Sequence, residues 1–291
     1  MAHVRSVAQI VTGHHQREGG GFVVRRPFPT QGVQHLDPFL LLDEMGPVDY
    51  APGQALGAPD HPHRGFETVT YVLEGEVEHA DSAGHSGTLG PGDVQWMTAG
   101  DGVVHREMPS KRVQREGGRG HGFQLWVNLP REHKRTAPRY QELKAEAIPE
   151  VTTDDGLATV RVIAGSALGV EAVAKTLTPV TYQHWTLSAG ADVEVGVDPE
   201  HRVAVYVFDG TATVGEQTLQ PGQLAILAEG DAVRLRADGE AQLLLLGGRP
   251  LGEPIAWGGP FVMNTRDEVV EAYEDFQSGR MGSIPPEIVR A

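Results

Sequence analysis

The sequence predicts an all-β protein made of two related units, each a barrel or a sandwich, followed by one short helix. Glycine and proline account for 37 and 20 of the 291 residues, and they interrupt short β-type runs such as 67–73 and 203–208. Many short strands at close spacing are typical of all-β barrels and sandwiches. An internal repeat and a helix-start signal near the carboxyl end complete the prediction.

The internal repeat consists of two stretches that share their turns. The segment 72–75, Val-Leu-Glu-Gly, resembles 207–210, Val-Phe-Asp-Gly, and the turn at 90–93 resembles the turn at 220–223. Gly100 follows Pro91 by nine positions, and Gly230 follows Pro221 by nine positions. Self-similarity of this kind indicates that one β-unit has been duplicated.

Two short motifs place metal-competent side chains two residues apart: His61 with His63, and His105 with Glu107. In a strand, residues i and i+2 point to the same face, so each motif can aim both side chains inward. If the two strands face each other across a barrel, three imidazoles and one carboxylate converge, a ligand set suited to Fe, Mn, Ni or Cu. The chain has no cysteine, so a metal must use nitrogen and oxygen ligands. The spacing therefore predicts one mononuclear site.

The repeat allows the four ligand positions to be projected onto the second copy by counting from the shared glycines. The projected positions do not repeat the ligand set, and they are Gly196, Asp198, Leu235 and Ala237. A unit that keeps its turns without the ligands does not need them to fold. We predict an N-terminal metal-binding domain over residues 1–135 and a C-terminal domain over residues 136–291 without a metal site.

A helix is predicted at about 265–279, at the end of the second domain. The segment 265–268, Thr-Arg-Asp-Glu, is a capping box, in which the threonine and the glutamate satisfy each other's backbone amides. Apolar residues at 269, 270, 273 and 276 follow at helical spacing, and Gly279 closes the pattern. We expect this helix to pack on a barrel.

Composition excludes several classes of function. The formal net charge of −15 opposes direct nucleic-acid binding. No apolar run approaches the roughly 20 residues that a membrane-spanning helix requires. The first sixteen residues lack the apolar core of a signal peptide, and the absence of cysteine rules out a disulfide framework. We expect a cytoplasmic monomer.

Long motifs in this chain resemble those of the pirin family, which are bicupin proteins. They include the segments 36–44, 61–71, 90–100, 105–109, 122–130 and 259–266. The resemblance implies two antiparallel β-barrel cupin domains, face to face, with a short C-terminal helix. It also implies iron in the N-terminal barrel, bound at the positions of His61, His63, His105 and Glu107.

The resemblance implies two alternative roles. Some pirins are quercetin 2,3-dioxygenases, which cleave a flavonol with O2 and release carbon monoxide. Others are non-enzymatic, iron-dependent redox regulators that act through protein partners. We expect one divalent metal ion per chain. Fe(II) is the first expectation, and Mn, Ni, Co, Cu and Zn are the alternatives. In the enzymatic reading, Glu107 is the base that takes the proton of the flavonol 3-hydroxyl.

Residues around the predicted site carry weaker expectations. The apolar walls for a planar ligand are predicted among Phe66, Val69, Trp96 and Met97. The remaining histidines of this region, His79, His85 and His121, are expected to be solvated or hydrogen-bonded rather than ligands. Arg64, next to a ligand histidine, either pairs with a carboxylate or binds a substrate anion.

Overall fold

The structure is a computed structural model that describes residues 3–285, so the outer limits of the predicted domains, Met1 and Ala291, lie outside the described residues. The first half of the chain forms twelve strands and one short helix. They are β1 (Val7–Thr12), β2 (His14–Glu18), β3 (Phe22–Phe28), β4 (Phe39–Tyr50), β5 (Ala58–His63), β6 (Phe66–Glu74), β7 (Val77–Asp81), β8 (Ser86–Leu89), β9 (Val94–Thr98), β10 (Val103–Pro109), α1 (Lys111–Glu116), β11 (Gly118–Asn128) and β12 (Arg139–Leu143).

The second half of the described chain is again almost entirely strand. Its elements are β13 (Glu150–Thr152), β14 (Ala158–Ala164), β15 (Ser166–Ala167), β16 (Val170–Glu171), β17 (Val180–Leu187), β18 (Ala191–Gly196), β19 (Arg202–Gly210), β20 (Ala212–Val214), β21 (Gln217–Leu219), β22 (Gln223–Leu227), β23 (Ala232–Ala237), β24 (Ala241–Gly248), β25 (Ala256–Gly258), β26 (Phe261–Met263) and α2 (Arg266–Gln277). Single 3-10 turns lie at Arg131–His133 and Ala145–Ala147. The all-β prediction with a C-terminal helix is confirmed.

The chain folds into two compact units. Within the described residues, the first unit contains 15–26, 39–145 and 252–285, and the second contains 3–14, 27–38 and 146–251. Each unit is therefore built from three separate segments of the chain, whereas the prediction gave two continuous domains that meet between residues 135 and 136. β12 lies beyond that boundary but pairs with β9 in the first unit, and β1 pairs with β22 in the second. The C-terminal segment with α2 belongs to the first unit rather than the second, because its Phe261 and Ala272 pack with Ala80 and Val104 of that unit.

Each unit contains one seven-stranded, one four-stranded and one two-stranded sheet, the last being β25-β26 in the first unit and β15-β16 in the second. In the first unit the strand orders are β12-β9-β6-β11-β4-β3-β2 and β5-β10-β7-β8. In the second they are β1-β22-β19-β24-β17-β14-β13 and β18-β23-β20-β21. Each position in one order corresponds to a position in the other, so the two units share one topology. This agrees with the duplication that the shared turns indicate.

The burial patterns explain which strands are covered on one face and which on both. Along β18, Ala191, Val193 and Val195 are buried and alternate with exposed residues, as expected of a strand with one solvated face. β19 lies between β22 and β24, and residues 203–208 are all buried. Because both faces of β19 are covered, its sequence is continuously apolar.

The C-terminal helix begins as predicted but packs differently. The Thr265 hydroxyl accepts a hydrogen bond from the Glu268 amide, and the Glu268 carboxylate accepts one from the Thr265 amide, which completes the capping box. However, Val270, Tyr273 and Phe276 remain 55%, 38% and 37% exposed. The predicted apolar stripe is therefore not the buried face. Small Ala272 packs in an apolar cluster instead, and Asp275 on the same side forms ion pairs.

The basic segment after β10 is ordered as a short helix. The Ser110 hydroxyl accepts a hydrogen bond from the amide of Val113, so it caps the start of α1. Val113 is the residue that α1 buries. Neither α1 nor any other helix in the described range 3–285 is long and apolar enough to cross a membrane.

Candidate metal centre

Three of the four predicted ligands converge in the first unit. One ring nitrogen each from His61, His63 and His105 can be chosen so that all three lie within 4.8 Å of one another. The strands β5 and β10 are direct antiparallel neighbours, with His105 opposite His61 and Val103 opposite His63. The convergence thus arises from adjacent strands of one sheet and not from opposite walls of a barrel. Residues directly opposite on neighbouring strands share a face, which brings the three imidazoles together.

A β-bulge lies beside the histidines. After the His105 and His61 pair, the register moves to Glu107 opposite Ala58, so β5 contains one residue more than β10 over this stretch. Bulges bend a strand and re-aim its side chains. Here the extra residue falls at Pro59 and Asp60, immediately before the first histidine.

Backbone carbonyls fix the tautomers of two histidines. Nδ1 of His61 lies 2.7 Å from the carbonyl oxygen of Pro59, and Nδ1 of His63 lies 3.3 Å from that of Pro260. Since a carbonyl oxygen can only accept, each Nδ1 carries the hydrogen. The Nε2 lone pairs are then free to bind a metal, the arrangement usual for ligand histidines.

His105 supplies the test of whether a metal fits. Its side chain is 1% exposed, and neither ring nitrogen has a hydrogen-bond partner within the described residues. Burial lowers the pKa of His105 well below its ordinary value, with further lowering from neighbouring histidines, and burial also lowers that of His63. Both imidazoles are therefore neutral donors at physiological pH. An orphaned, neutral, buried imidazole beside two others fits a metal that takes nitrogen ligands.

The carboxylate of Glu107 is not part of the three-histidine cluster. Its Oε1 accepts a hydrogen bond from the Thr70 hydroxyl at 2.6 Å. The same hydroxyl lies 2.7 Å from the side-chain oxygen of Gln124. Glu107 nevertheless lines the same cavity as His61 and His63, so its role as a ligand stays a prediction.

A cavity of about 600 Å³ opens beside the histidines, between the two sheets of the first unit. The predicted wall residues Phe66, Val69, Trp96 and Met97 do not line it. The prediction was wrong for two reasons. Strand alternation does not show which face meets the cavity, and Val69 and Trp96 lie on the other face. Phe66 and Met97 are buried in separate apolar clusters. The apolar lining includes Phe22, Leu41, Met45, Leu56, Val72, Met108, Trp126 and Trp257. A volume and lining of this kind suit a small, largely apolar ligand.

Apart from Glu107 and the histidines, the acidic and basic side chains that line the cavity form ion pairs. Arg26 donates to both carboxylate oxygens of Asp43, and it also pairs with Glu18 at 2.9 Å. Glu74 pairs with Arg119 at 3.0 Å. Because these charges compensate each other, the lining favours an uncharged ligand over an ion.

The other polar residues singled out from the sequence have structural partners. Ring nitrogens of His79, His85 and His121 contact carboxylates of Glu142, Asp81 and Glu44 at 2.6, 2.9 and 3.0 Å. The expectation that these histidines are hydrogen-bonded is confirmed. For Arg64, the carboxylate alternative holds: Nη2 lies 2.7 Å from Asp275 in α2, and the side chain is buried.

The second unit contains the same pair of strands without the cluster. β18 pairs with β23 as β5 pairs with β10, with Leu235 opposite Val193 and Val233 opposite Val195. The equivalents of His61 and His63 are therefore Val193 and Val195. The projection onto Gly196 and Asp198 was wrong by three residues, because the loop after β18 spans 197–201 and the loop after β5 only 64–65. Among the described residues, the three-histidine cluster is the one group that could hold a metal.

Two units of cupin topology with one histidine cluster define a bicupin. Sequence comparison then identifies the family: the model described as Pirin matches residues 21–127, and that described as Pirin C-terminal cupin domain matches residues 182–282. The chain belongs to the pirin family.

Similar proteins cover nearly the whole chain. A pirin-like protein of Caulobacter vibrioides is 44% identical, over 95% of this chain and 99% of its own. Mouse pirin is 43% identical, over 97% of this chain and 96% of its own. The crystal structure of a quercetin 2,3-dioxygenase from Acinetobacter baumannii superposes with a TM-score of 0.92 at 40% identity, covering 97% of this chain and 100% of the other.

Sequence reasoning missed the contribution of the C-terminal segment to the site. Pro260 supplies the carbonyl that faces His63, and Trp257 and Gly259 line the cavity. The signal was present in part, since 259–266 is one of the motifs shared with pirins. Nothing in the local pattern connects that motif with His63, which lies almost two hundred residues earlier.

Proposed function

We propose that this protein is a mononuclear, metal-dependent dioxygenase that cleaves a flavonol with O2 and releases carbon monoxide. The observation that carries the proposal is the convergence of three imidazoles beside a single, largely apolar cavity that His61, His63 and Glu107 line. The likeness to a quercetin 2,3-dioxygenase of known structure supports the same assignment.

The metal would be held by the Nε2 atoms of His61 and His63, by His105 and by Glu107. We propose Fe(II), with Mn, Ni, Co, Cu and Zn as the alternatives that nitrogen and oxygen ligands also accept. A bound divalent ion supplies Lewis acidity, which stabilises the deprotonated form of a hydroxyl beside it.

Glu107 is the proposed base for the flavonol 3-hydroxyl. Its carboxylate lines the cavity two residues after His105, and Thr70 holds one of its oxygens. Asp60, next to His61, also lines the cavity but pairs with Arg106. The Thr70 hydroxyl orients Glu107 through its hydrogen bond. The second carboxylate oxygen is then available to accept the proton of the substrate.

The apolar lining has its own part in the reaction. Leu41, Met45 and Trp126 provide the flat, water-excluding surfaces that a planar polycyclic substrate requires. Exclusion of water strengthens the interaction of Glu107 with the substrate hydroxyl, since the local dielectric constant falls. The deprotonated substrate is also protected from reprotonation by solvent.

The test combines metal analysis with a turnover assay. Metal-free protein is reloaded separately with Fe(II), Mn(II), Ni(II), Co(II) and Cu(II), mixed with quercetin under air, and followed for carbon monoxide release and flavonol bleaching. We expect one metal per chain and turnover with at least one ion. If no ion supports turnover, the dioxygenase proposal fails and the alternative of a redox regulator takes its place.

The role of Glu107 has a separate test. Glu107→Gln should lower kcat about 100- to 10,000-fold at matched metal content, because the amide cannot accept the proton. The control is Glu76→Gln, since Glu76 also lines the cavity but pairs with Arg112 instead of adjoining the histidines; this variant should keep wild-type turnover. Wild-type turnover in Glu107→Gln would assign the base to another group.

Three further expectations belong to this proposal: a cytoplasmic location, no direct nucleic-acid binding and a monomeric state. The net charge of −15 and the absence of cysteine support the first two. The mass of the native particle in light scattering, compared with 31.3 kDa for one chain, tests the third.

A further inference from the structure

Trp257 combines two properties that structural residues rarely share. Its side chain lines the cavity, yet it is 37% exposed. The indole is also held in a fixed orientation, because its N–H donates to the carbonyl of Gly259 at 2.9 Å within the β25–β26 hairpin. A large apolar surface is thus kept partly in contact with solvent at the cavity.

Trp257 is the outermost member of a row of aromatic rings that begins at the histidine cluster. The ring of His63 lies 5.2 Å from that of Trp126, and Trp126 lies 5.8 Å from Trp257 with a 30° angle between the two indole planes. Phe66 supports Trp126 from behind at 4.3 Å. The row therefore runs in two steps from a ligand histidine to an exposed ring.

We propose that Trp257 is a substrate-binding residue that stacks on the outer aromatic rings of the flavonol. The inference rests on the proposed function, which places the 3-hydroxyl of the substrate beside the histidines and Glu107. A rigid molecule bound there extends its remaining rings along Trp126 towards Trp257. Offset stacking on an indole is favourable, and it covers apolar surface of Trp257 that is otherwise exposed.

This role makes Trp257 a selector of substrate size. A single-ring 3-hydroxy-4-pyrone such as maltol carries the same hydroxyl and ketone as a flavonol but lacks the outer rings. Such a ligand occupies the inner end of the row and does not reach Trp257. Trp257 should therefore contribute to the binding of quercetin and make no contribution to the binding of maltol.

The test measures binding without turnover. Protein as purified is titrated with quercetin and with maltol under argon by isothermal titration calorimetry. Trp257→Ala should weaken quercetin binding roughly tenfold, the effect of losing one aromatic stack, and leave maltol binding unchanged. Trp257→Phe should restore most of the quercetin affinity. Val173→Ala removes part of another exposed apolar side chain that does not line the cavity, and it should change neither affinity.

The outcomes separate this inference from the proposed function. Equal quercetin affinity in wild type and Trp257→Ala overturns the role of Trp257 while turnover remains possible. Equal loss for quercetin and maltol also overturns it, since Trp257 would then act on the inner end of the site. Selective loss for quercetin supports the role of Trp257 even if the turnover assay shows no dioxygenase activity, in which case the proposed function alone fails.

Discussion

The two units use the same pair of neighbouring strands for opposite purposes. In the first unit, His61, His63 and His105 surround a point beside a cavity. In the second, the equivalent positions carry Val193, Val195 and Leu235, all of which belong to one buried apolar cluster. The strand order is the same in both. The topology therefore accepts either a polar or an apolar interior at this place.

This difference identifies what the histidines cost and what they provide. A buried polar atom without a partner costs about 1–3 kcal/mol, so an orphaned imidazole such as His105 destabilises the metal-free fold. Valine and leucine at the equivalent positions of the second unit have no polar atoms, so they carry no such penalty and bury additional apolar surface. The first unit therefore retains its histidines for binding, and its stability must come from elsewhere.

The largest expected effect comes from giving the first unit the residues of the second. The triple variant His61→Val, His63→Val, His105→Leu should lose tight metal binding altogether, because no imidazole remains. It should still fold, with the β-type circular dichroism of the wild type, since the second unit folds with these residues. Metal content by elemental analysis and thermal unfolding check both points.

His85→Ala is the control for this variant, because His85 is exposed and pairs with Asp81 rather than with the cluster. Its metal content should equal that of the wild type. Loss of the β signal in the triple variant would show that the histidines are needed for folding. The first unit would then not accept the apolar side chains that the second unit has at these positions.

An effect of intermediate size is expected in α2, which lies in the unit of the histidines rather than in the predicted C-terminal domain. Asp275→Ala removes the closest carboxylate from the buried Arg64 and leaves Asp101, 3.9 Å away, as the remaining partner. Removing one member of a buried ion pair costs about 3 kcal/mol. Urea unfolding should show this loss, whereas Glu274→Ala, on an exposed neighbour in the same helix, should change the free energy of unfolding by less than about 0.5 kcal/mol.

A similar stability for both helix variants would mean that Arg64 does not depend on α2. The assignment of the C-terminal segment to the first unit would then lose its energetic basis. The metal content of both variants should also be measured, because His63, next to Arg64, faces the carbonyl of Pro260 in that segment.

Over a single pH unit, the smallest of these effects is that of pH. Burial lowers the pKa of His63 and of His105 in the folded, metal-free protein below the ordinary value of 6.5. The unfolded chain then binds more protons than the folded one below about pH 6.5, so stability decreases as the pH falls from there towards the lowered values. Each histidine contributes at most about 1.4 kcal/mol per pH unit.

Urea unfolding of metal-free protein between pH 7 and pH 5 measures this slope. The variant His63→Val, His105→Leu should have a shallower slope than the wild type. Some slope should remain, because burial also lowers the pKa of His201 in the second unit. Parallel profiles for variant and wild type would contradict neutral burial of the two histidines.

The parts of the site that follow from spacing were predictable, and those that depend on partners were not. The two-residue period of a strand brought His61 and His63 to one face, and His105 joined them. The period does not say which strand is the neighbour, so the ligand strands were expected on opposite walls. It also does not fix the length of the loop after the strand. The projection therefore fell on Gly196 and Asp198, three residues beyond the true equivalents Val193 and Val195.

The predictions of the cavity walls and of the buried face of α2 were wrong for a related reason. Both depend on which of two apolar surfaces is covered, and this is decided by chain segments far away in sequence. Val69 and Trp96 belong to the face that does not line the cavity. In α2, the pairing of Asp275 with Arg64 determined the inner side, although Tyr273 and Phe276 are more apolar.

The exchange of segments between the halves of the chain determines the order in which the protein can mature. A ribosome releases the N-terminus first, and contiguous domains usually fold in that order. Here the first unit requires Pro260 and α2, which emerge only after the entire second unit has been synthesised. The complete histidine site, with the Pro260 carbonyl facing His63, therefore forms only after the residues of both units have been synthesised.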